Sequence, residues 1–204
     1  MTQPPSFHVP ARFHINAALG LCLAVSLNPA LAQPVGQDAV SSPNAIATKT
    51  YGAGGAVGRL GLHYGYNDDY QRLALVYNTP AFWSHRFAND AGRIDLNAEL
   101  GLAYWDARRG TPTSMWQLSA IPLVRWWPVD TVYLEAGVGP TVLSRSRFAE
   151  RNLGTRLQFG SHFGVGMHLG AHRFGLRYSH FSNADIAKDN PGLDLVVLSY
   201  SYAF

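Results

Sequence analysis

The sequence predicts an all-β protein, an eight-stranded antiparallel transmembrane β-barrel of the bacterial outer-membrane type. Three observations carry that prediction. Apolar side chains recur at every second position through most of the chain, the period of a strand with two unlike faces. Several of these runs reach ten residues or more, whereas globular strands average about 5–6 residues and membrane-spanning strands need about 9–11. Aromatic residues (Tyr64, Tyr104, Trp126, Trp127, Tyr202 and Phe204) gather where the runs end, as interfacial girdles do.

Composition narrows the field in the same direction. Of the 204 residues, 47% are apolar, 12% aromatic and 14% charged, with a net charge of +3. That is too apolar and too weakly charged for a disordered chain. No run of 18 apolar residues appears, so no helix of the sequence is expected to span a bilayer. The arginine excess is spread along the chain without a basic cluster, which argues against nucleic acid as a partner.

The elements follow in order. Residues 1–32 hold no acidic residue, one arginine (Arg12) and an apolar run from Ala17 to Leu27, and then Ala30-Leu31-Ala32. This is the pattern of a cleaved export signal. The only cysteine, Cys22, would leave with it, so no disulfide is expected. Residues 33–50 are small and polar and read as a flexible lead-in; residues 51–204 form the barrel domain, with a candidate motif at 180–194.

Within the barrel, Leu60, Leu62 and Tyr64 alternate with Arg59, Gly61 and His63, and Leu73, Leu75 and Tyr77 alternate with Arg72, Ala74 and Asn78. From Arg93 to Trp105, Ile94, Leu96, Ala98, Leu100, Leu102 and Tyr104 share one face, with Asp95, Asn97 and Glu99 on the other. Equivalent patterns run over 116–126, 132–139, 162–169, 174–180 and 196–204. A soluble sandwich would bury the apolar face, while a membrane barrel turns it to lipid and keeps its polar and glycine face in the lumen. Strand length and the aromatic girdle favour the barrel, and only a closed one satisfies its backbone in lipid. Eight strands put both termini on the periplasmic side, with short turns at 128–130 and 170–172 and outer loops at 106–113 and 144–154. The segment 79–92 is longer than such a turn requires.

The lumen face carries Glu99 and Glu135, expected to pair with Arg125 or Arg177, and His63, His162 and His168 as polar filling. No cluster has metal-ligand spacing, so neither metal nor cofactor is expected. One pair stands out on the lipid face. His180 and Ser182 end the seventh strand two residues apart, about 6.6 Å in rise. Polar groups facing hydrocarbon are costly. The pair is therefore either catalytic or a hydrogen-bonded part of the headgroup belt.

Further residues separate these readings. The run Phe174-Gly175-Leu176-Arg177-Tyr178-Ser179-His180-Phe181-Ser182-Asn183-Ala184, followed by Ile186 and Asn190-Pro191-Gly192, resembles the C-terminal motif of the outer-membrane lipid A 3-O-deacylase (PagL) family. Glu135 to Pro140 and Phe159 to Gly170 are similar to it as well, so the resemblance covers about residues 131–204. It implies an outer-membrane esterase that removes the 3-position (R)-3-hydroxyacyl chain of lipid A and remodels lipopolysaccharide, with its site toward the outer leaflet and lipid A as its partner. Ser182 would be the nucleophile and His180 the general base. Asn183, with the backbone amides after it, would donate to the oxyanion. The family's acid is a glutamate fourteen residues after the histidine. Asp194 stands there, one methylene shorter, with Asp185 and Asp189 as fallbacks. Asp185 also occupies a position where the family often has glycine. Alternatives are a structural or adhesive barrel without activity, and an outer-membrane acyltransferase using the same triad. A surface protease is disfavoured because loops 65–70, 106–113 and 144–154 hold no histidine.

Overall fold

A computed structural model describes residues 57–88 and 91–204. The expected export signal and lead-in lie outside the described residues. Eleven strands appear in chain order: β1 (Arg59–Tyr66), β2 (Tyr70–Asn78), β3 (Trp83–Arg86), β4 (Arg93–Ala107), β5 (Ser114–Val129), β6 (Val132–Leu143), β7 (Arg147–Phe148), β8 (Arg151–Asn152), β9 (Leu157–Leu169), β10 (His172–Ser182) and β11 (Leu193–Ala203). Eight of them close into an antiparallel barrel in the order β2-β1-β11-β10-β9-β6-β5-β4, and β4 pairs back onto β2. Among the described residues there is no α-helix.

Every barrel strand alternates as the sequence predicts, with the sense of a membrane barrel. Leu60, Leu62, Leu73, Leu75, Leu118, Phe163, Leu176 and Leu198 are exposed on the outer wall, while Arg59, His63, Arg72, Glu99, Arg125, Glu135 and Arg177 are buried inside. Such an outer face is stable only against hydrocarbon.

The three other strands, all short, are additions to the barrel. The segment 79–92 is long because the hairpin continues beyond the barrel wall. β3 pairs with β4 from Trp83↔Leu96 to Arg86↔Arg93, whereas β2 stops at Asn78↔Glu99. Two more residues on one strand than on the other make a bulge around Pro80, which has no N–H to give the ladder. Thr79 stitches it by both its N–H and its hydroxyl to Ala98 at 2.9 Å. At the other end of the barrel, β7 and β8 form a miniature hairpin inside the loop between β6 and β9.

The lumen is solid and divided into layers. At the long-loop end Tyr70, Trp105, Met115, Leu143, Phe148, Leu153, Phe181, Leu193 and Leu195 pack into one apolar cluster. Below it lies an ionic network. Arg177 bonds Glu99 at 2.9 and 3.1 Å and pairs with Glu135 at 2.7 Å, and Glu135 also receives Arg125 at 2.7 Å. The expected pairing of both glutamates thus involves both arginines. Nearer the short turns, Trp127 packs on Tyr133 with ring centres 4.9 Å apart. Trp127 is a correction. Expected in the interfacial girdle, it is 1% exposed and points into the lumen. Its neighbour Trp126 has the opposite parity and faces outward. Gly166 makes room for this layer, since a Cβ there would come within 2.3 Å of the Tyr133 ring.

Candidate active site

His180 lies near the loop end of β10, and its backbone partner on β11 is Asp194. Residues directly opposite on antiparallel strands have neighbouring side chains on the same face. Here both project from the outer wall, and His180 Nδ1 lies 2.7 Å from Asp194 Oδ1. The two side chains are 38% and 45% exposed, as a pair must be if a substrate is to reach it from the membrane. Ser182 ends β10 on the same face and is half-buried. Among the described residues its hydroxyl has no hydrogen-bond partner, His180 included. The ring nitrogen left over on His180, Nε2, and the Ser182 hydroxyl are therefore both unengaged on the outer wall.

Asp194 is held from two further sides. Tyr178, two residues before His180 on the same face, donates its hydroxyl to Asp194 Oδ1. From the lumen, the Tyr70 hydroxyl accepts the Asp194 N–H at 3.0 Å and lies 3.3 Å from its carbonyl. The register explains why a side chain does this work. β1 ends at Tyr66, opposite Val196, so the first residues of β11 have no strand neighbour on that side. Their backbone groups need another partner.

The turn from β10 to β11 is bracketed by Asn190. Its Oδ1 accepts the Asn183 N–H at 2.9 Å, and its Nδ2 donates to Asp185 Oδ1 at 2.9 Å. Between these anchors Ala184 and Asp185 have φ of 51° and 61°. Left-handed backbone costs an L-residue on the order of 1–3 kcal/mol. Aspartate tolerates it better than most, which accounts for its standing where the family often has glycine. The backbone N–H groups of Ala184 and Asp185 have no partner among the described residues. Gly192, φ 67°, completes the turn. A Cβ on it would lie 2.7 Å from His180 Cε1, so the bare glycine backbone forms one wall of the imidazole seat.

Asn183 is engaged within the protein. It is fully buried, and its Nδ2 donates to the carbonyls of Leu153 at 3.0 Å and Asp189 at 2.7 Å. With its backbone N–H on Asn190 as well, it has no donor left for an oxyanion; its side chain bolts the turn to the 147–152 hairpin. That hairpin is anchored in turn by Asn152 on Asp189, by Arg151 on Asp69 at 2.8 Å, and by Phe148 in the aromatic cluster. The fallback acids are accounted for by the same contacts. Asp185 is bound to Asn190 and Asp189 to Asn152, and neither touches His180. Sequence reasoning missed the parts played by Tyr70, Tyr178, Asn190 and Gly192. Asn190 and Gly192 lie in the Asn-Pro-Gly run that carried the resemblance, and Tyr178 shares the parity of His180, but Tyr70 left no local signal.

Fold and site together define an outer-membrane β-barrel with a histidine–carboxylate pair on its wall beside a free serine. The profile of a family described as lipid A 3-O-deacylase (PagL) matches residues 69–203, extending well before the stretch where the motifs cluster. The chain is 50% identical over 163 residues to the lipid A deacylase PagL of Bordetella bronchiseptica, covering 78% of this chain and 91% of that protein. It is 28% identical over 161 residues to the lipid A deacylase PagL of Pseudomonas aeruginosa, covering 77% and 87%. Among solved structures, the crystal structure of the outer membrane enzyme PagL superposes with a TM-score of 0.64 at 23% identity, covering 72% of this chain and 99% of that one. The chain belongs to the lipid A 3-O-deacylase family and is an enzyme of the bacterial outer membrane.

Proposed function

We propose that this enzyme hydrolyses the 3-position acyl ester of lipid A with Ser182 as nucleophile, His180 as general base and Asp194 as the acid that orients it. The observation that carries the reading is the 2.7 Å contact between His180 Nδ1 and Asp194 Oδ1 on the outer wall, two residues along the strand from a serine with an unengaged hydroxyl. An aspartate bonded to Nδ1 holds that nitrogen protonated and leaves Nε2 as the basic one. The reading requires Ser182 Oγ to come within hydrogen-bond reach of Nε2 when substrate binds, since such contacts tighten in the substrate complex.

The chemistry then follows in two steps. Ser182 Oγ attacks the ester carbonyl while its proton passes to His180 Nε2, and the Asp194 carboxylate stabilises the imidazolium. Breaking the carbon–oxygen bond, His180 returns the proton to the sugar oxygen, leaving an acyl-serine and a free 3-hydroxyl. Water repeats the sequence, with His180 as base, and releases the fatty acid. The negative oxygen of each tetrahedral intermediate is assigned to the unpartnered N–H groups of Ala184 and Asp185, which the bracketed turn holds in place.

The long-loop end is assigned to the cell exterior, where lipopolysaccharide fills the outer leaflet. Substrate then arrives sideways through the bilayer, and the solid lumen takes no part. The deciding experiment is mass spectrometry of lipid A from cells with and without the protein. Loss of one 3-hydroxyacyl mass, with the free 3-hydroxy fatty acid recovered, is the expected result. A mass gain at lipid A, or an unchanged spectrum from a correctly folded barrel in detergent, overturns the reading.

A further inference from the structure

Asp194 carries the acid role on a stem one methylene shorter than glutamate, a loss of about 1.5 Å of reach. The wall of the barrel contains a group placed to offset it. Resting on the triad assignment above, we propose that Tyr178 is a positioning residue whose hydroxyl sets the direction of the Asp194 carboxylate.

Three observations support this. First, the hydroxyl of Tyr178 donates to Asp194 Oδ1, the same oxygen that His180 contacts, so a single carboxylate atom is fixed by two donors from one strand. Second, the register makes the contact diagonal. Asp194 sits opposite His180, while Tyr178 sits opposite Val196, so the phenol reaches about 7–8 Å across the ladder, a span open to long aromatic side chains. The short aspartate stem keeps the carboxylate within the space between the two rings. Third, the backbone of Asp194 is separately immobilised by Tyr70 from the lumen side. With the main chain held there, the χ angles of Asp194 are its remaining freedom, and Tyr178 and His180 bond the atom they move. Asp194 Oδ2 has no partner among the described residues, so the carboxylate's direction rests on Oδ1.

The outer wall is apolar at this level, with Phe163, Val196 and Leu198 exposed around Tyr178. A phenol hydroxyl there is strongly drawn to an anion, because few other partners compete for it. Tyr178 holds and does not transfer a proton. Its hydroxyl bonds Asp194 and not Ser182.

The test combines turnover with a signal that does not depend on substrate. Tyr178→Phe removes the hydroxyl and keeps the ring, so the outer wall and the fold persist; heat-modifiable gel migration checks the latter. The expected result is about a tenfold loss in kcat, with KM for lipid A within twofold of the parent. In an Asp194→Glu background, where the longer side chain reaches His180 without help, the same substitution should cost less than threefold. In parallel, proton NMR of 15N-histidine-labelled protein in detergent follows the Nδ1 proton of His180, assigned by its loss in Asp194→Asn. Tyr178→Phe should shift or broaden it. Unchanged kcat and an unchanged Nδ1 signal overturn the proposal, as does an equal loss in both backgrounds, or a rise in KM alone, which would mark a contact with the acyl chain. A responsive Nδ1 signal in a protein that never releases 3-hydroxy fatty acid would uphold the positioning of Asp194 and overturn the deacylase reading instead.

Discussion

The loop end of this barrel and the middle of its lumen are both closely packed, but by different forces. In the middle, two arginines meet two glutamates: Arg177 lies between Glu99 and Glu135, and Glu135 also binds Arg125. At the loop end, Tyr70, Trp105, Phe148 and Phe181 pack edge to face, with ring centres 5.4–5.9 Å apart. The ionic layer joins four strands (β4, β5, β6 and β10) across the lumen and sets the barrel's cross-section. The aromatic layer gives the hairpin at 147–152 and the turn between β10 and β11 a packed floor. Charges far from the proposed triad brace the lumen, and rings lie behind the turn that carries it. Stability and turnover should therefore respond to different substitutions.

The largest effect on turnover belongs to the triad. Ser182→Ala and His180→Ala are each expected to abolish acyl release while leaving the barrel's melting temperature and heat-modifiable migration unchanged, since both side chains face away from the lumen. Because triad members act as a unit, the double variant should be little worse than either single one. Residual release in Ser182→Ala above background would move the nucleophile elsewhere.

Next in size is the acid. Asp194→Asn should lower kcat by about 10^3–10^4-fold, since an amide stabilises the imidazolium poorly and can select the wrong tautomer. Asp194→Glu should retain activity. Asp185→Asn and Asp189→Asn, assayed on the same lipid A, should lose less than about tenfold, because they act only through the turn. A dead Asp185→Asn beside an active Asp194→Asn would transfer the acid role.

A third substitution probes the seat of the ring. Gly192→Ala puts a methyl 2.7 Å from His180 Cε1 at a left-handed backbone position. Displacing the imidazole by about 1 Å is worth about 10^2-fold in rate. A normal kcat in this variant would show that the imidazole seat yields.

The smallest effect on turnover is expected in the ionic layer. Glu135→Gln leaves Arg125 and Arg177 short of one carboxylate, and breaking such a buried pair costs about 3–5 kcal/mol of stability. The midpoint of unfolding in denaturant should drop accordingly, with kcat per folded molecule within about twofold of the parent. A large fall in kcat at unchanged stability would erase the distinction between the two regions.

Most of the barrel was legible because a strand in a membrane wall is a local object. Its two faces meet two different solvents, and period two records that in every segment; Leu60 to Tyr66 and Val196 to Phe204 could be assigned without knowing that they pair. The length of a run sets how much bilayer it can cross. The histidine and serine on an apolar face were conspicuous for the same reason; Asp194 was singled out only by the family resemblance, and the register sets it opposite His180.

Other features depend on partners distant in sequence. Trp126 and Trp127 are alike in composition and adjacent in the chain, yet parity sends one to the wall and the other into the lumen, onto Tyr133. The Asn183 side-chain amide is engaged by Leu153, thirty residues earlier. Tyr70 lies 124 residues from the backbone it clamps. By itself, then, the sequence determined the β class, the outward-facing apolar wall, and the presence of a histidine and a serine together on that wall near the end of the seventh strand. The tertiary structure alone decided which hydrogen-bond donors are already engaged, which acid touches the imidazole, and which tyrosines hold that acid. The physical reason is that strand patterning is repeated at every second residue, whereas a satisfied hydrogen bond depends on whichever distant group closure of the barrel happens to bring near.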